Sequence, residues 1–224
     1  MFSKRGKMEL MNIGVLASGR GSNFQSIIDA IESGSLKAKI VLLITDNPNA
    51  FAIERARKHG IEPLIMMANQ YGTRNEYYKA VVQELRIREV GLVVLAGFMR
   101  IIGKPLIEAY RDRVMNIHPA LLPSFPGLHG QRQAQAYGVR ISGCTVHFVD
   151  EGMDTGPIII QSAVPVSFED TEESLSERIL KMEHKIFPEA IRLFSEGRLE
   201  VIGRKVKIAG AEPDKSFLVF PPLD

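Results

Sequence analysis

The stretch NIHPALLPSFPGLHG, residues 116–130, sets Asn116 and His118 two positions apart ahead of three prolines and two glycines. In an extended run such as VMNIH, residues i and i+2 lie on one face, so amide and imidazole can converge on one small volume. Pro119 confines His118 to extended backbone, and Pro123 and Pro126 restrict the loop that follows. An amide N–H beside an imidazolium suits stabilisation of an oxyanion formed on a carbonyl. A third group comes from VDEGMDTGPIII, residues 149–160, which places Asp150, Glu151 and Asp154 in a glycine-bounded turn between apolar runs. A carboxylate next to His118 would favour its charged form. Together these groups suit attack on a carbonyl carbon without a protein nucleophile. Each also has a plainer reading, as a satisfied strand-end histidine and an acidic hairpin turn. His129, among glycines, reads as a structural or helix-capping residue.

Two other stretches fall where an α/β chain would put ligand contacts. In ASGRGSN, residues 17–23, Gly19 and Gly21 let backbone approach a ligand, and a helix capped by Ser22, with Gln25 three residues on, would offer free N–H groups to an anion. Phe24 stands where a dinucleotide fingerprint needs glycine or alanine, and no Gly-Lys-Ser/Thr follows, so a single phosphate fits better than a polyphosphate. The alternative is an ordinary tight turn between strand and helix. In LAGFMR, residues 95–100, Gly97 permits close approach, Phe98 and Met99 read better as core, and Arg100 is either a solvated strand end or an anion contact. Metal is disfavoured: there is no HExxH, and no His-x-His or close carboxylate pair beside His118.

These loops need elements to hold them. Apolar runs alternate with helical patterns, the signature of a mostly parallel sheet with helices on both faces. MNIGVL, AKIVLLIT, EPLIMM and GLVVLAG read as strands, separated by helices over residues 22–34, 50–60 and 73–89, the last opened by a Thr73/Glu76 capping box. Right-handed crossovers are expected for this βαβαβαβ run. VMNIH, GCTVHFV and PIIIQSAVPV follow as strands, then a long helix over about 171–196 that Pro188 should kink or divide, then a hairpin turning near Gly203. Ligands in such sheets sit outside the carboxyl ends of the strands, where the three stretches lie.

Composition narrows the classes. The 224 residues are 45% hydrophobic, and 28 basic against 26 acidic residues leave +2, so no overall field favours nucleic acid or membrane. Cys144 is the only cysteine, which excludes an internal disulfide and suits a reducing cytoplasm. It reads as a small buried hydrophobe on a strand. The start, MFSKRGKMEL, lacks the apolar stretch of a secretory signal, and nowhere do 18 uncharged apolar residues run together.

GVLASGRGSN, VVLAGFMR, NIHPALLPSFPGLH, VHFVDEGMDTGPII and EHKIFP, in this order, resemble the phosphoribosylglycinamide formyltransferases, from about Asn12 to about residue 200. The resemblance implies a Rossmann-like formyltransferase fold, 10-formyltetrahydrofolate as formyl donor and co-substrate, and the amine of phosphoribosylglycinamide as acceptor, with no metal. It places the catalytic trio on Asn116, His118 and Asp154. It places ribonucleotide contacts on Gly21, Ser22, Asn23 and Glu183, and folate contacts on Arg74, Met99, Arg100, Ile101 and Ile102, on Asn116, and on the turn Asp150, Glu151, Gly152, Met153 and Asp154. Members with a lysine three residues before that glutamate differ from this chain, which has Leu180 there and Lys181 next. The implied organisation is one formyltransferase domain over 1–224, with a phosphate-binding half over about 12–110 and a catalytic and folate half over about 111–203. Residues 1–10 and 204–224 receive no role. The implied protein is cytoplasmic, a monomer or homodimer, with small-molecule partners and neither nucleic acid nor membrane.

Formyltetrahydrofolate hydrolase and methionyl-tRNA formyltransferase share the Asn-x-His and aspartate motifs. The hydrolase would carry an N-terminal regulatory region, and the tRNA enzyme a further basic nucleic-acid domain. SGRGSN directly after the first strand favours the ribonucleotide enzyme. A non-catalytic folate- or phosphate-binding module is the reading from another class, and retention of all three presumed catalytic residues argues against it.

Overall fold

The computed structural model describes residues 10–211, so the N-terminal extension and the tail from 212 onward lie outside the described residues. Strands β1 (Met11–Leu16), β2 (Ala38–Thr45), β3 (Pro63–Ile65), β4 (Leu92–Leu95) and β5 (Val114–His118) pair in parallel. Strands β6 (Ile141–Phe148) and β7 (Ile158–Pro165) continue the sheet antiparallel, and the hairpin of β8 (Leu199–Ile202) and β9 (Lys205–Ile208) closes it. The order is β3-β2-β1-β4-β5-β6-β7-β9-β8, one sheet of nine strands. The order reverses between β1 and β4, which opens a crevice beyond their carboxyl ends.

Period-2 alternation feeds two cores. Ile13, Val15, Leu43 and Val94 face one side with helices α1 (Ser22–Glu32), α2 (Ala52–Lys58), α5 (Gly130–Tyr137) and α6 (Glu172–Ser195). Leu16, Ile44, Val93 and Leu95 face the other, against α3 (Arg74–Ile87) and α4 (Lys104–Ala109). Central strands are therefore apolar on both faces, as parallel strands covered by helices must be. Thr73 and Glu76 form the expected capping box at α3. Thr171 caps α6 in the same way with Ser174.

Four expectations are corrected. Ser22 is the first helical residue of α1 and not its cap: Gly21 takes the cap position at φ 68°, without a side-chain bond. A serine cap needs extended backbone, whereas the left-handed turn at Gly21 brings the chain into the helix one residue earlier. Pro188 does not divide α6, which runs unbroken for 24 residues. Burial of Ile186, Phe187, Pro188, Ala190 and Ile191 outweighs the local cost of proline, about 3 kcal/mol. The third strand keeps only Pro63–Ile65 of the six residues read as strand. Met99 is 65% exposed and belongs to no core, although Phe98 packs against the α3 side. Helices α4 and α5 and a 3-10 turn at Ala68–Gln70 were not foreseen.

Candidate active site

Strand β5 ends beside β4, with Asn116 opposite Leu95, and its other neighbour β6 sets Asn116 opposite His147. Asn116 and His118 share a face, and the turn after β6 brings Asp154 to them. Asp154 Oδ2 stands 3.5 Å from His118 Nδ1 and accepts a 2.8 Å bond from the Gly127 N–H. Asp154 adopts φ 54°, a left-handed conformation uncommon for residues other than glycine. The three residues expected to act together are therefore brought together.

Proton positions follow from fixed acceptors. His118 Nε2 lies 2.8 Å from the Phe125 carbonyl, which only accepts, so Nε2 donates there and Nδ1 is the nitrogen facing Asp154. At 3.5 Å the Nδ1–carboxylate gap is longer than a formed hydrogen bond and leaves Nδ1 able to serve a third atom. His147, 2% exposed, donates from Nδ1 to the Phe148 carbonyl at 2.8 Å. Burial pushes the His147 pKa below its ordinary value, against the bond to Phe148 and the charge of Asp154. Neutral His147 therefore presents a bare Nε2, which accepts from Asn116 Nδ2 at 3.2 Å. That bond orients the amide with its N–H₂ edge on the same side as Nε2, 3.7 Å from Asp154 Oδ1.

Residues 116–130 are clamped from below. Thr145 Oγ1 donates to the Ala120 carbonyl at 2.7 Å and accepts from the Leu122 N–H, while Gln161 Nε2 donates to the Leu122 carbonyl. His129 occupies the position before α5 at φ 61° without a side-chain cap, so it shapes the loop through backbone alone.

The β1–α1 turn lies across the crevice. Ser18 ties it to the β4 loop: its N–H donates to the Gly97 carbonyl, its hydroxyl to Asp46 at 2.6 Å, and the Met99 N–H donates to that hydroxyl. Ser22 and Asn23 open α1, ahead of its first bond from the Gln25 N–H to the Gly21 carbonyl. Packing also requires glycine at 21, because a Cβ there would meet Ala52 Cβ at 2.9 Å. Asn23 Nδ2 donates to buried Glu183 at 2.7 Å, joining α1 to α6. Burial raises the Glu183 pKa, and the Asn23 bond opposes that rise.

The expected folate residues divide. Arg100 pairs with Asp46 at 3.6 Å and lies 5.8 Å over the Tyr77 ring. The Ile101 carbonyl accepts from Tyr78, Ile102 packs on the α3 side, and Met99, Ile101 and Met153 present exposed apolar surface. Asp150 closes its turn by accepting from the Gly152 N–H and from Thr155 at 2.6 Å, while Glu151 is exposed. Arg74 is exposed at the first position of α3, with no hydrogen bond or ion pair to the others among the described residues. Lys181 is exposed and Leu180 half-buried. Cys144 is fully buried and its thiol is pushed up to about 12, chiefly by burial, as expected of a packing residue.

Sequence reasoning missed His147, Ser18 and Asp46. The signal for His147 was its place in VHFVD opposite Asn116, visible only once the antiparallel register is known. Among the described residues no three His, Cys, Asp or Glu side chains are grouped to hold a metal ion, and no helix is long and apolar enough to cross a membrane.

The family described as "Formyl transferase" matches residues 11–191. A phosphoribosylglycinamide formyltransferase of Bacillus subtilis (strain 168) is 44% identical over 178 residues, covering 80% of this chain and 91% of that protein. The trifunctional purine biosynthetic protein adenosine-3 of Drosophila melanogaster is 44% identical over 199 residues, and there the chain spans 14% of the relative's length. The crystal structure of glycinamide ribonucleotide transformylase 1 from Symbiobacterium toebii superposes with a TM-score of 0.88 at 48% identity, covering 90% of this chain and 95% of that one. The chain belongs to the formyl transferase family.

Proposed function

We propose that this chain transfers a formyl group from 10-formyltetrahydrofolate to the amine of phosphoribosylglycinamide, a step of purine synthesis. The observation that carries this reading is the meeting of Asn116, His118 and Asp154 at the carboxyl end of β5, across the crevice from the start of α1. Phosphate would sit on the N–H groups of Gly21, Ser22 and Asn23, with Glu183 against the ribonucleotide beyond them. Folate would lie on Arg74, on Met99, Arg100, Ile101 and Ile102, and along Asp150, Glu151, Gly152, Met153 and Asp154. This puts amine and formyl carbon together beside His118.

The neutral amine attacks the formyl carbon, and the electron pair of the C=O moves onto oxygen. Asn116 N–H and His118 Nδ1–H donate to that oxyanion. Asp154 relays the proton leaving the attacking nitrogen, through water, to N10 of the departing tetrahydrofolate. The C–N10 bond breaks as the C=O re-forms, so neither a metal nor a covalent enzyme intermediate enters. Residues 1–224 act as one domain, the phosphate-binding half over about 12–110 and the catalytic half over about 111–203, as a cytoplasmic monomer or homodimer with only small-molecule partners.

The test is turnover of 10-formyltetrahydrofolate with and without phosphoribosylglycinamide, following tetrahydrofolate and free formate. Acceptor-dependent tetrahydrofolate without formate is expected. Formate released without acceptor would assign the chain to the hydrolases.

A further inference from the structure

The loop after β2 and the first turn of α2 donate to the β1–α1 turn three times in succession. Asn47 Nδ2 donates to the Ser18 carbonyl at 3.0 Å, the Ala52 N–H to the Gly19 carbonyl at 3.1 Å, and Arg55 Nε to the Arg20 carbonyl at 2.9 Å. The fourth carbonyl, of Gly21, is taken by α1 itself through the Gln25 N–H. Four consecutive carbonyls are thus turned toward protein donors. A carbonyl dipole facing an anion repels it, whereas a turn whose carbonyls are held outward presents its N–H groups to the concave side, the arrangement that binds phosphate.

The donors are themselves held. Asn47 Oδ1 accepts from the Asn49 N–H and the Asn47 N–H donates to Thr45. Arg55 stacks 5.0 Å from the Phe51 ring, its Nη1 donates to Gln25 Oε1 at 2.9 Å, and Gln25 in turn donates to Asp29. The Arg55 stem also passes the bare face of Gly21, with Cδ 3.6 Å from where a Cβ would stand. One guanidinium therefore bridges a turn carbonyl and the second helical turn of α1, and adds a fixed positive charge to that side of the turn.

We infer that Arg55 and Asn47 are positioning residues for the phosphate of the ribonucleotide, acting by holding the carbonyls of the β1–α1 turn away from it. The inference rests on the reading of that turn as the phosphate site.

The experiment is steady-state kinetics of the full chain, with inorganic phosphate as a competitive probe. Arg55→Met keeps the stem and removes the donors; Asn47→Ala removes the other side-chain donor. Each should raise the KM for phosphoribosylglycinamide and the Ki of phosphate together by about tenfold, the scale of one charge-assisted or buried hydrogen bond. The kcat and the KM for formylfolate should stay within about twofold. Arg55→Lys keeps the charge without the fork and should remain at least about threefold weaker for ribonucleotide than the parent protein. Full rescue by lysine, or an unchanged ribonucleotide KM in Arg55→Met and Asn47→Ala, overturns the inference while the phosphate reading of the turn stands. A parallel fall in kcat, both KM values and thermal stability assigns the pair to folding alone and overturns it as well. Failure of phosphate to compete with ribonucleotide in the parent protein removes the phosphate reading, and the inference with it.

Discussion

Asn116 Nδ2 donates to His147 Nε2 across 3.2 Å, and because His147 Nδ1 is committed to the Phe148 carbonyl, this bond has one possible direction. The amide cannot reverse without leaving two acceptors face to face. A buried histidine that never meets substrate thus decides which end of Asn116 faces the reacting carbonyl. His147→Leu should lower kcat about tenfold, the scale of one buried hydrogen bond, with both KM values little changed. In an Asn116→Ala background the same change should cost less than about twofold, because its only route to the reaction is gone. Equal losses in both backgrounds would show His147 acting elsewhere.

The Asp154 carboxylate is held by the Gly127 N–H and faces His118 Nδ1, which is free of the Phe125 carbonyl that occupies Nε2. Asn116→Ala and His118→Ala should each lose about 10²- to 10³-fold in kcat while remaining folded. Asp154→Asn keeps an acceptor for the Gly127 N–H and removes the charge, so a comparable loss in kcat is expected with ribonucleotide KM nearly unchanged. Turnover of Asp154→Asn at the parent rate would remove the carboxylate from the mechanism.

Gly156 lies two residues beyond Asp154, and a Cβ there would stand 1.8 Å from the Phe148 carbonyl oxygen, inside backbone. The turn can relax only by moving away from β6, which carries Asp154 away from His118. Gly156→Ala should cost about 1–3 kcal/mol of stability and lower kcat more than the melting shift explains. Denaturant unfolding alongside kinetics of the folded fraction checks both parts; a stable variant with parent kcat would show the turn yielding elsewhere.

What could be read in advance was local. Asn116 and His118 show themselves by strand alternation and by Pro119, and β1, β2 and β4 by apolar runs, because each signal lies within a few residues. His147 becomes a partner of Asn116 only through the antiparallel register of β5 and β6, and Asn23 meets Glu183 across 160 positions of sequence. Neither leaves a local trace. The misplaced cap at Ser22 and the intact helix through Pro188 have one cause: a local preference outweighed by packing, of Gly21 on Ala52 and of the α6 stripe on the sheet. Helices α4 and α5, of six and eight residues, are too short for periodicity to separate them from loop.

Glu183 is buried with Asn23 as its donor, and burial holds its pKa above the ordinary 4.5. An acid with a raised folded pKa binds protons more readily folded than unfolded. Its contribution to stability is therefore complete below the unfolded value, and is lost as pH rises through the folded one. Glu183→Gln keeps an acceptor for Asn23 and cannot ionise, so in the absence of ligand it should melt higher than the parent protein at pH 7, and the difference should shrink toward pH 4.5. If Glu183 contacts the ribonucleotide as proposed, the same variant should raise the KM for phosphoribosylglycinamide about tenfold, since a charged contact would be lost. Thermal melts of both proteins across that range isolate the carboxyl from every other titrating group. A melting difference independent of pH would show that Glu183 does not change its ionisation on folding, and that its burial beside Asn23 serves packing alone.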